Sequence, residues 1–423
     1  MNKGFIRIGE LCRRIGVKPY TLRYWEKEFG DFIRPYRSKG RHRRYREDDL
    51  KVLMKIKELI KDKGYTVKGA KKALGIERST MLEREKNSLE EGNYFQGKKV
   101  LITGGTGTVG RELTRRLLSF SPSVVRIYSR DETKQFEMAE EFRQVENLRF
   151  FIGDVRDGKR LEMAMEDVDI VFHLAALKHV ASCEYNPFEA INTNVYGSQN
   201  VINAALKVNA EKVIFTSTDK AVNPTSTMGA TKLMAEKLFT AANYYKGKRR
   251  TVFATVRFGN VLGSRGSAVP LFKNQLLKGE KITLTSKKMT RFVMSLKDAV
   301  DFIFKASFLT RGGEVFVPKM PVVRIVDLVE AIEEVLGFKN GIKEIGTKPG
   351  EKLYEELMTK DEEKRALERE DMYIILPPFK SGDGKYSYPG AFILTDNNHC
   401  TSEKGEFLSK EELKKLLEEE SLL

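Results

Sequence analysis

From Lys98 onward short apolar runs alternate with longer amphipathic stretches, whereas before it apolar positions recur mainly at helical spacing. The runs Lys99–Thr103, Val124–Tyr128, Leu148–Ile152, Ile170–Leu174, Lys212–Thr216 and Thr251–Arg257 predict strands, with helical stretches between most of them. Strands of this kind, separated by helices, argue a parallel sheet covered on both faces. After about Gly263 the regularity breaks down, as expected of a smaller lobe closing over a substrate. In the first segment Ile8–Ile15 is amphipathic, Gly16 and Val17 interrupt it, and Pro19 opens a second helix reaching about Glu28. Arg34–Tyr45 reads as a basic hairpin around Gly40, followed by helices at about Glu47–Asp62 and Thr66–Leu74. The pattern divides the chain into a small domain at 1–75, a polar linker at 76–96 and a larger α/β domain at 97–423. The substrate lobe is expected mainly from about 263.

Residues Thr103–Gly110 read T-G-G-T-G-T-V-G, directly after the apolar run Val100-Leu101-Ile102 and directly before a helical stretch. This order of strand, glycine turn and helix is a dinucleotide-binding fingerprint, and it makes the expected fold a Rossmann-like doubly wound parallel sheet. Gly104 permits the tight turn, Gly107 lets backbone approach a pyrophosphate, and Gly110 lets helix and strand pack closely. Thr106, Thr108 and Val109 lie in the same loop and helix start, where free N–H groups favour phosphate. About twenty residues on, the second strand ends in Ser129-Arg130-Asp131, where a ribose would be read. A guanidinium there suits a 2′-phosphate, so Arg130 favours NADP; Asp131 could instead accept a ribose hydroxyl, which leaves NAD open. Asp154 and Val155 follow the third strand, where an acid can bind adenine's amino group, and Ala175-Ala176 follow the fourth.

Charge is unevenly placed. The chain carries a formal +16, and residues 1–75 hold 22 Lys and Arg against 9 Asp and Glu. That concentration points to an anionic partner, nucleic acid before membrane surface. Cys12, Cys183 and Cys400 are scattered, with neither disulfide nor metal spacing, which fits a reducing cytoplasm and predicts no metal site. No stretch approaches the ~20 apolar residues of a membrane span, and no signal-peptide pattern opens the chain, so a cytoplasmic protein is expected.

A helix, a glycine turn, a second helix and a basic hairpin make a winged helix-turn-helix. The run I-R-I-G-E-L-C-R-R-I-G-V-K-P-Y-T-L-R-Y-W-E, with G-R-H-R-R-Y after it, resembles the MerR family of DNA-binding regulators over roughly residues 5–74. The resemblance puts Lys18, Tyr20, Thr21, Arg23 and Tyr24 on a recognition helix and Arg41, Arg43, Arg44 and Tyr45 on the wing, all toward double-stranded DNA. Leu22 and Trp25 read as core. Members of that family usually continue into a long dimerising helix; here a short polar linker leads to an enzyme-like domain, so dimerisation would have to come from the latter.

Reacting residues are expected at strand ends near the cofactor. The strand Lys212–Thr216 leads into Ser217-Thr218-Asp219-Lys220, with Met228-Gly229-Ala230-Thr231-Lys232 on the next helix. An adjacent acid and amine suit proton transfer on a sugar. The ordered set T-G-G-T-G-T-V-G, Y-S-R-D, G-D-V-R-D, L-A-A-L-K-H-V, S-T-D-K, G-A-T-K, R-F-G-N-V-L-G-S-R-G-S, M-T-R-F and K-P-G-E-K-L-Y-E resembles the nucleotide-sugar 4,6-dehydratases of the extended short-chain dehydrogenase/reductase family. In particular it is similar to UDP-N-acetylglucosamine 4,6-dehydratases of the soluble kind that serve flagellin-glycan and capsule biosynthesis, over about residues 95–420.

That resemblance implies a cycle without net redox change: hydride leaves C4, Lys220 removes the C5 proton, Asp219 protonates the departing C6 hydroxyl, and hydride returns to C6. Thr218 would bond the C4 oxygen and Lys232 the nicotinamide ribose. Lysine at 220, where thymidine-diphosphate-glucose dehydratases carry glutamate, favours a UDP-N-acetylhexosamine, and the soluble members favour inversion at C5. Asn260, Arg265, Ser267, Pro270, Arg291 and Glu351 match nucleotide-sugar-contacting motifs, and Lys178 would line the same cleft against both ligands. The family's Y-x-x-x-K pair is Met228-x-x-x-Lys232 here, so the phenolic base is missing and Asp219, Lys232 or a relayed water would replace it. The soluble members being oligomers, at least a dimer is expected. A different reading makes the chain a transcriptional regulator whose dehydratase-like domain senses cofactor or UDP-sugar.

Overall fold

The computed structural model describes residues 6–29, 32–33, 36–37, 43–67, 69–71, 92–379, 386–394, 400–420 and 422–423. The chain divides into two compact units, Met1–Glu90 and Glu91–Leu423.

In the first unit the helices Ile8–Ile15 and Pro19–Glu28 flank a turn in which Gly16 adopts φ +71°, a left-handed conformation that suits glycine. Strands Ile6–Arg7, Arg43–Tyr45 and Tyr36–Arg37 form a small antiparallel sheet in that order, pairing Ile6 with Tyr45 and Tyr36 with Arg44. Helix Glu47–Lys57 continues as a wider turn to Asp62. Residues 67 and 69–71 of the expected next helix are helical; Arg41, Gly40 and residues 72–74 lie outside the described residues. Leu11, Ile15, Leu22, Trp25, Phe29, Leu53 and Ile56 build the core.

In the second unit, strands β1 (Lys99–Thr103), β2 (Val124–Ser129), β3 (Leu148–Ile152), β4 (Ile170–His173), β5 (Lys212–Thr218), β6 (Val252–Phe258) and β7 (Val315–Pro318) run parallel in the order 3-2-1-4-5-6-7. The order reverses between β1 and β4, which opens a crevice beyond their C-terminal ends. Alternation along the strands fills both faces. Val100, Ile102, Phe172 and Ile214 face one apolar cluster; Leu101, Val171, Val213 and Phe215 face the other.

Two expectations change. Tyr94 and Phe95, assigned to the linker, belong to the core: Phe95 is fully buried, stacked on Phe120 at 5.8 Å and edge-on to Phe304 at 5.1 Å. The sequence beyond Gly263 is not wholly a separate lobe. Besides β7, strands β8 (Ala366–Glu368), β9 (Met372–Ile375) and β10 (Phe392–Ile393) extend the main sheet, joined by antiparallel pairing. The lobe proper holds its own cluster of Leu262, Phe272, Leu284, Val293 and Leu328, capped by Leu413 and Leu417 of the helix Lys410–Glu419.

Candidate active site

β1 ends at Thr103, and the chain turns at Gly104 with φ +68° before helix α1 (Thr108–Leu118) begins. A Cβ on Gly104 would lie 2.7 Å from Ala175 N, and one on Gly110 would lie 2.6 Å from Gly105 Cα. Both contacts are with backbone, so only glycine fits. This turn, with Thr106, Gly107, Thr108 and Val109, forms one wall of a cleft of about 400 Å³. Ser129, Arg130, Asp154, Val155, Ala175, Ala176, Lys178 and Arg265 also line it, together with Tyr128, Lys134, His179 and Thr193, which sequence reasoning passed over. A narrow, glycine-walled cleft at a helix N-terminus fits a dinucleotide.

Within the cleft Thr106 Oγ1 and Ser129 Oγ lie 3.0 Å apart. Arg130 is well exposed and reaches Asp154 only at 3.7 Å, leaving its guanidinium free to turn toward a ligand. Asp154 takes 2.7 and 3.0 Å bonds from the side chain and backbone N–H of Arg156. Burial raises its pKa, but these Arg156 bonds outweigh it and hold the carboxyl below the usual range. Asp131 turns elsewhere: its side chain caps the helix Glu132–Glu141 by accepting from Lys134 N at 3.0 Å, and it also pairs with the Lys134 ammonium. The cap accounts for its position, and Asp131 is not among the residues that line the cleft. Lys178 Nζ donates to Arg265 O at 2.7 Å, and burial followed by the Arg265 charge lowers its pKa.

β5 runs two residues further than expected, so that Thr218 closes the strand and Asp219 and Lys220 start a tight helical turn. Asp219 is fully buried. Its Oδ1 accepts from Thr218 Oγ1 at 3.0 Å and from Lys220 Nζ at 3.0 Å, while Asn260 Oδ1 accepts from the same ammonium at 3.2 Å. Lys232, on helix α2 (Thr227–Tyr245), is buried with Nζ 2.7 Å from Thr216 O and 4.4 Å from the Phe215 ring centroid. Burial lowers its pKa to about 8. Met228, one turn earlier, packs with Cys183 and Ala190, a core role that a thioether fills and a proton acceptor would not. Beneath the site, His173 is fully buried between Thr103 Oγ1 at 2.7 Å and Ser198 Oγ at 3.1 Å, and burial pushes its pKa down to about 3. It is a neutral hydrogen-bonding link between β1, β4 and a helix.

The motif residues of the lobe separate. Ser267 precedes the helix Ala268–Leu277, whose first turn contains Pro270. Glu351 accepts from Thr285 Oγ1 at 3.0 Å and Lys348 N at 3.2 Å. Arg291 is buried and spends its guanidinium on the carbonyls of Thr290, Leu353 and Lys352. In this form it braces the loop rather than offering a free cation. Glu355, not singled out from sequence, is buried 3.6 Å from Lys220 Nζ.

On the first unit, Lys18, Tyr20, Arg23 and Tyr24 are exposed and Thr21 is half-buried, while Leu22 and Trp25 of the same helix are buried. Arg43 and Arg44 lie on the second hairpin strand and Arg41 lies outside the described residues. Tyr45 corrects the wing assignment. It is fully buried and its hydroxyl donates to Glu26 at 2.6 Å, because its place opposite Ile6 turns the ring into the core. Among the described residues no cluster of His, Cys, Asp or Glu could hold a metal, and no helix is long and apolar enough to cross a membrane.

Residues 100–377 match the model of a family described as polysaccharide biosynthesis protein, and residues 6–75 match that of the MerR HTH family regulatory proteins. A protein of Methanocaldococcus jannaschii named uncharacterized membrane protein MJ1061 is 50% identical, covering 78% of this chain and 98% of its own. A Campylobacter jejuni UDP-N-acetylglucosamine 4,6-dehydratase (inverting) is 48% identical over 74% of this chain and 89% of its own. A Rickettsia akari protein named UDP-glucose 4-epimerase is 43% identical over 76% and 96%. Among solved structures, Pen from Bacillus thuringiensis is 48% identical, covers 78% of this chain and all of its own, and superposes with a TM-score of 0.74.

Proposed function

Since the chain belongs to the polysaccharide biosynthesis protein family, we propose that it is an NADP-dependent UDP-N-acetylglucosamine 4,6-dehydratase that starts a route to a surface- or flagellin-glycan sugar. The observation that carries this reading is the buried Asp219 carboxylate 3.0 Å from Lys220 Nζ at the end of β5, the central strand that also anchors Lys232. An epimerase needs hydride transfer at C4 alone, whereas a dehydratase also needs an acid and a base for C6 and C5. A nicotinamide bound in the glycine-walled cleft supplies reversible hydride acceptance. Once C4 is a ketone, its hydroxyl proton having passed to Lys232 or a relayed water, the C5 proton is acidified; Lys220 takes it while Asp219 protonates the leaving C6 oxygen, and Lys220 returns a proton to C5 as C6 becomes a methyl. In this reading Thr218, bonded to Asp219, holds the C4 oxygen, and Lys232 holds the nicotinamide ribose. Asn260, by accepting from Lys220, keeps the amine aimed.

Incubation of the protein with UDP-N-acetylglucosamine and catalytic NADP should give a product lighter by one water with a new C6 methyl signal, and ring couplings reporting inversion at C5. A C4 epimer without water loss would replace this reading with the epimerase. Binding without turnover would instead favour the sugar-sensing regulator. The exposed Arg130 supports NADP over NAD. Arg130→Ala is expected to weaken NADP by roughly tenfold or more while sparing NAD, the loss of a charge-assisted phosphate contact. Equal losses for both would remove the 2′-phosphate contact from the reading.

For the first unit we propose binding to double-stranded DNA through the face of Lys18, Tyr20, Arg23 and Tyr24, with the enzyme unit supplying at least a dimer. Affinity should fall steeply with salt and prefer one duplex sequence. Arg23→Ala should weaken specific binding, whereas a steep salt slope without any sequence preference would reduce the unit to a general polyanion binder.

A further inference from the structure

Glu355 has no task in the reaction set out above, yet its carboxylate belongs to the acid/base group. It is 2% exposed, with Oε1 3.6 Å from Lys220 Nζ and 3.9 Å from Arg291 Nε. Its main chain is fixed on both sides by Ser402: Glu355 N donates to Ser402 Oγ and Ser402 N donates to Glu355 O, both at 2.8 Å. Among the described residues neither Glu355 Oε2 nor Asp219 Oδ2 has a hydrogen-bond partner, although both are buried. Two buried carboxylates therefore flank the Lys220 ammonium, with Arg291 as a second, more distant cation on the Glu355 side, and each keeps an unsatisfied oxygen, a costly arrangement that structural packing alone does not call for.

The other cations facing the group are held by main-chain carbonyls and keep their charge. Arg291 is bonded to three carbonyls, and Lys352 Nζ donates to Val222 O at 2.7 Å. Asn260, the remaining partner of Lys220, is neutral. Burial raises the Glu355 pKa; Lys220 pulls it down, Asp219 pushes it up, and Arg291 and Lys352 add smaller downward pulls.

Resting on the dehydratase reading, we propose that Glu355 is a positioning residue: it holds the Lys220 ammonium beside Asp219 and keeps one proton within the Asp219–Lys220 pair at working pH. That proton first moves from the ammonium to the Asp219 carboxylate. The amine then takes the C5 proton, and the C5–H electron pair becomes the C5–C6 π bond. Asp219 gives its proton to the C6 oxygen, the C6–O bond breaks with its electrons on oxygen, and water leaves. Ammonium and carboxylate are restored, and Glu355 neither gains nor loses a proton. Its negative charge makes the pair's proton harder to lose.

Glu355→Gln keeps the shape and removes the charge. In the full-length protein with UDP-N-acetylglucosamine and NADP, kcat at neutral pH should fall by about tenfold or more. Both limbs of the kcat–pH profile should move to lower pH, with KM and the thermal midpoint unchanged. Glu355→Asp keeps the charge and should leave the limbs where wild type has them, which also decides the matter should the glutamine variant not fold. Unmoved limbs in Glu355→Gln, or limbs displaced in Glu355→Asp, overturn the role. An active wild type with such a result removes this inference alone; a wild type that dehydrates no UDP-N-acetylhexosamine removes the proposed function and this role with it.

Discussion

Asparagine in place of Asp219 should cut the rate of water loss by about 10²- to 10⁴-fold while UDP-sugar binding persists. The substituted side chain keeps an oxygen to accept from Thr218 Oγ1 and Lys220 Nζ, so the buried turn retains its bonds. It has no acidic proton to give the leaving oxygen, so the loss belongs to kcat. Mass spectrometry of the product, with binding followed by thermal shift, separates the two quantities. Turnover near the wild-type rate would remove Asp219 as the acid. Parallel loss of binding and turnover would mean that the substitution had disturbed the pocket rather than the chemistry.

The largest effect on stability is expected at Arg257, fully buried on β6. Its guanidinium bonds both oxygens of Glu236 on α2, at 3.0 and 2.6 Å, both oxygens of Glu362, at 3.0 and 2.9 Å, and the Leu357 carbonyl. Arg257→Met leaves two buried carboxylates without a cation, and removing one partner of such a group costs about 3–5 kcal/mol. Adding Glu236→Gln and Glu362→Gln to the same chain should recover part of that loss. Chemical denaturation of the second unit measures both, and a variant as stable as wild type would show the network to be dispensable.

The same group sets an acid limit. Burial raises the Glu362 pKa, yet Arg257 outweighs it and holds the carboxyl at about 2, below its unfolded value. A depressed carboxylate contributes stability that is complete above the unfolded pKa and drains away as pH falls toward the folded one. About 3 kcal/mol should therefore disappear between roughly pH 4.5 and pH 2, and Glu362→Gln should flatten that part of the stability curve.

What could be seen in the sequence follows how local each signal is. The six first strands and the glycine turn declare themselves because a parallel strand is an apolar run and a dinucleotide turn needs glycine at fixed steps. Thr218, Asp219 and Lys220 are adjacent in the chain, so their meeting requires no tertiary knowledge. Glu355 reaches Lys220 only through the fold, and no spacing announces it; its setting among Leu353, Tyr354 and Leu357 was the available hint of burial. Arg257 gave a clearer sign, a lone charge inside the apolar strand V-F-A-T-V-R-F. Tyr45 misled because a run of arginines suggests a wing, while the pairing of residue 45 with Ile6 decides which way the ring turns. Strands β8 to β10 escaped notice because short antiparallel strands lack the alternation with helices that marks the rest.

The clamp on Glu355 also bears on the order in which the chain leaves the ribosome. Ser402 Oγ lies 2.9 Å from Thr290 Oγ1, and Leu357 N donates to Cys400 O at 2.8 Å, so residues 400–402 close around the loop that carries Glu355. All seven parallel strands are synthesised before those residues emerge. A nascent chain can thus assemble its cofactor cleft early, while the Glu355 loop waits for residues 400–402 to be made. Emergence of that short segment, rather than completion of the parallel strands, is the event that fixes this part of the site.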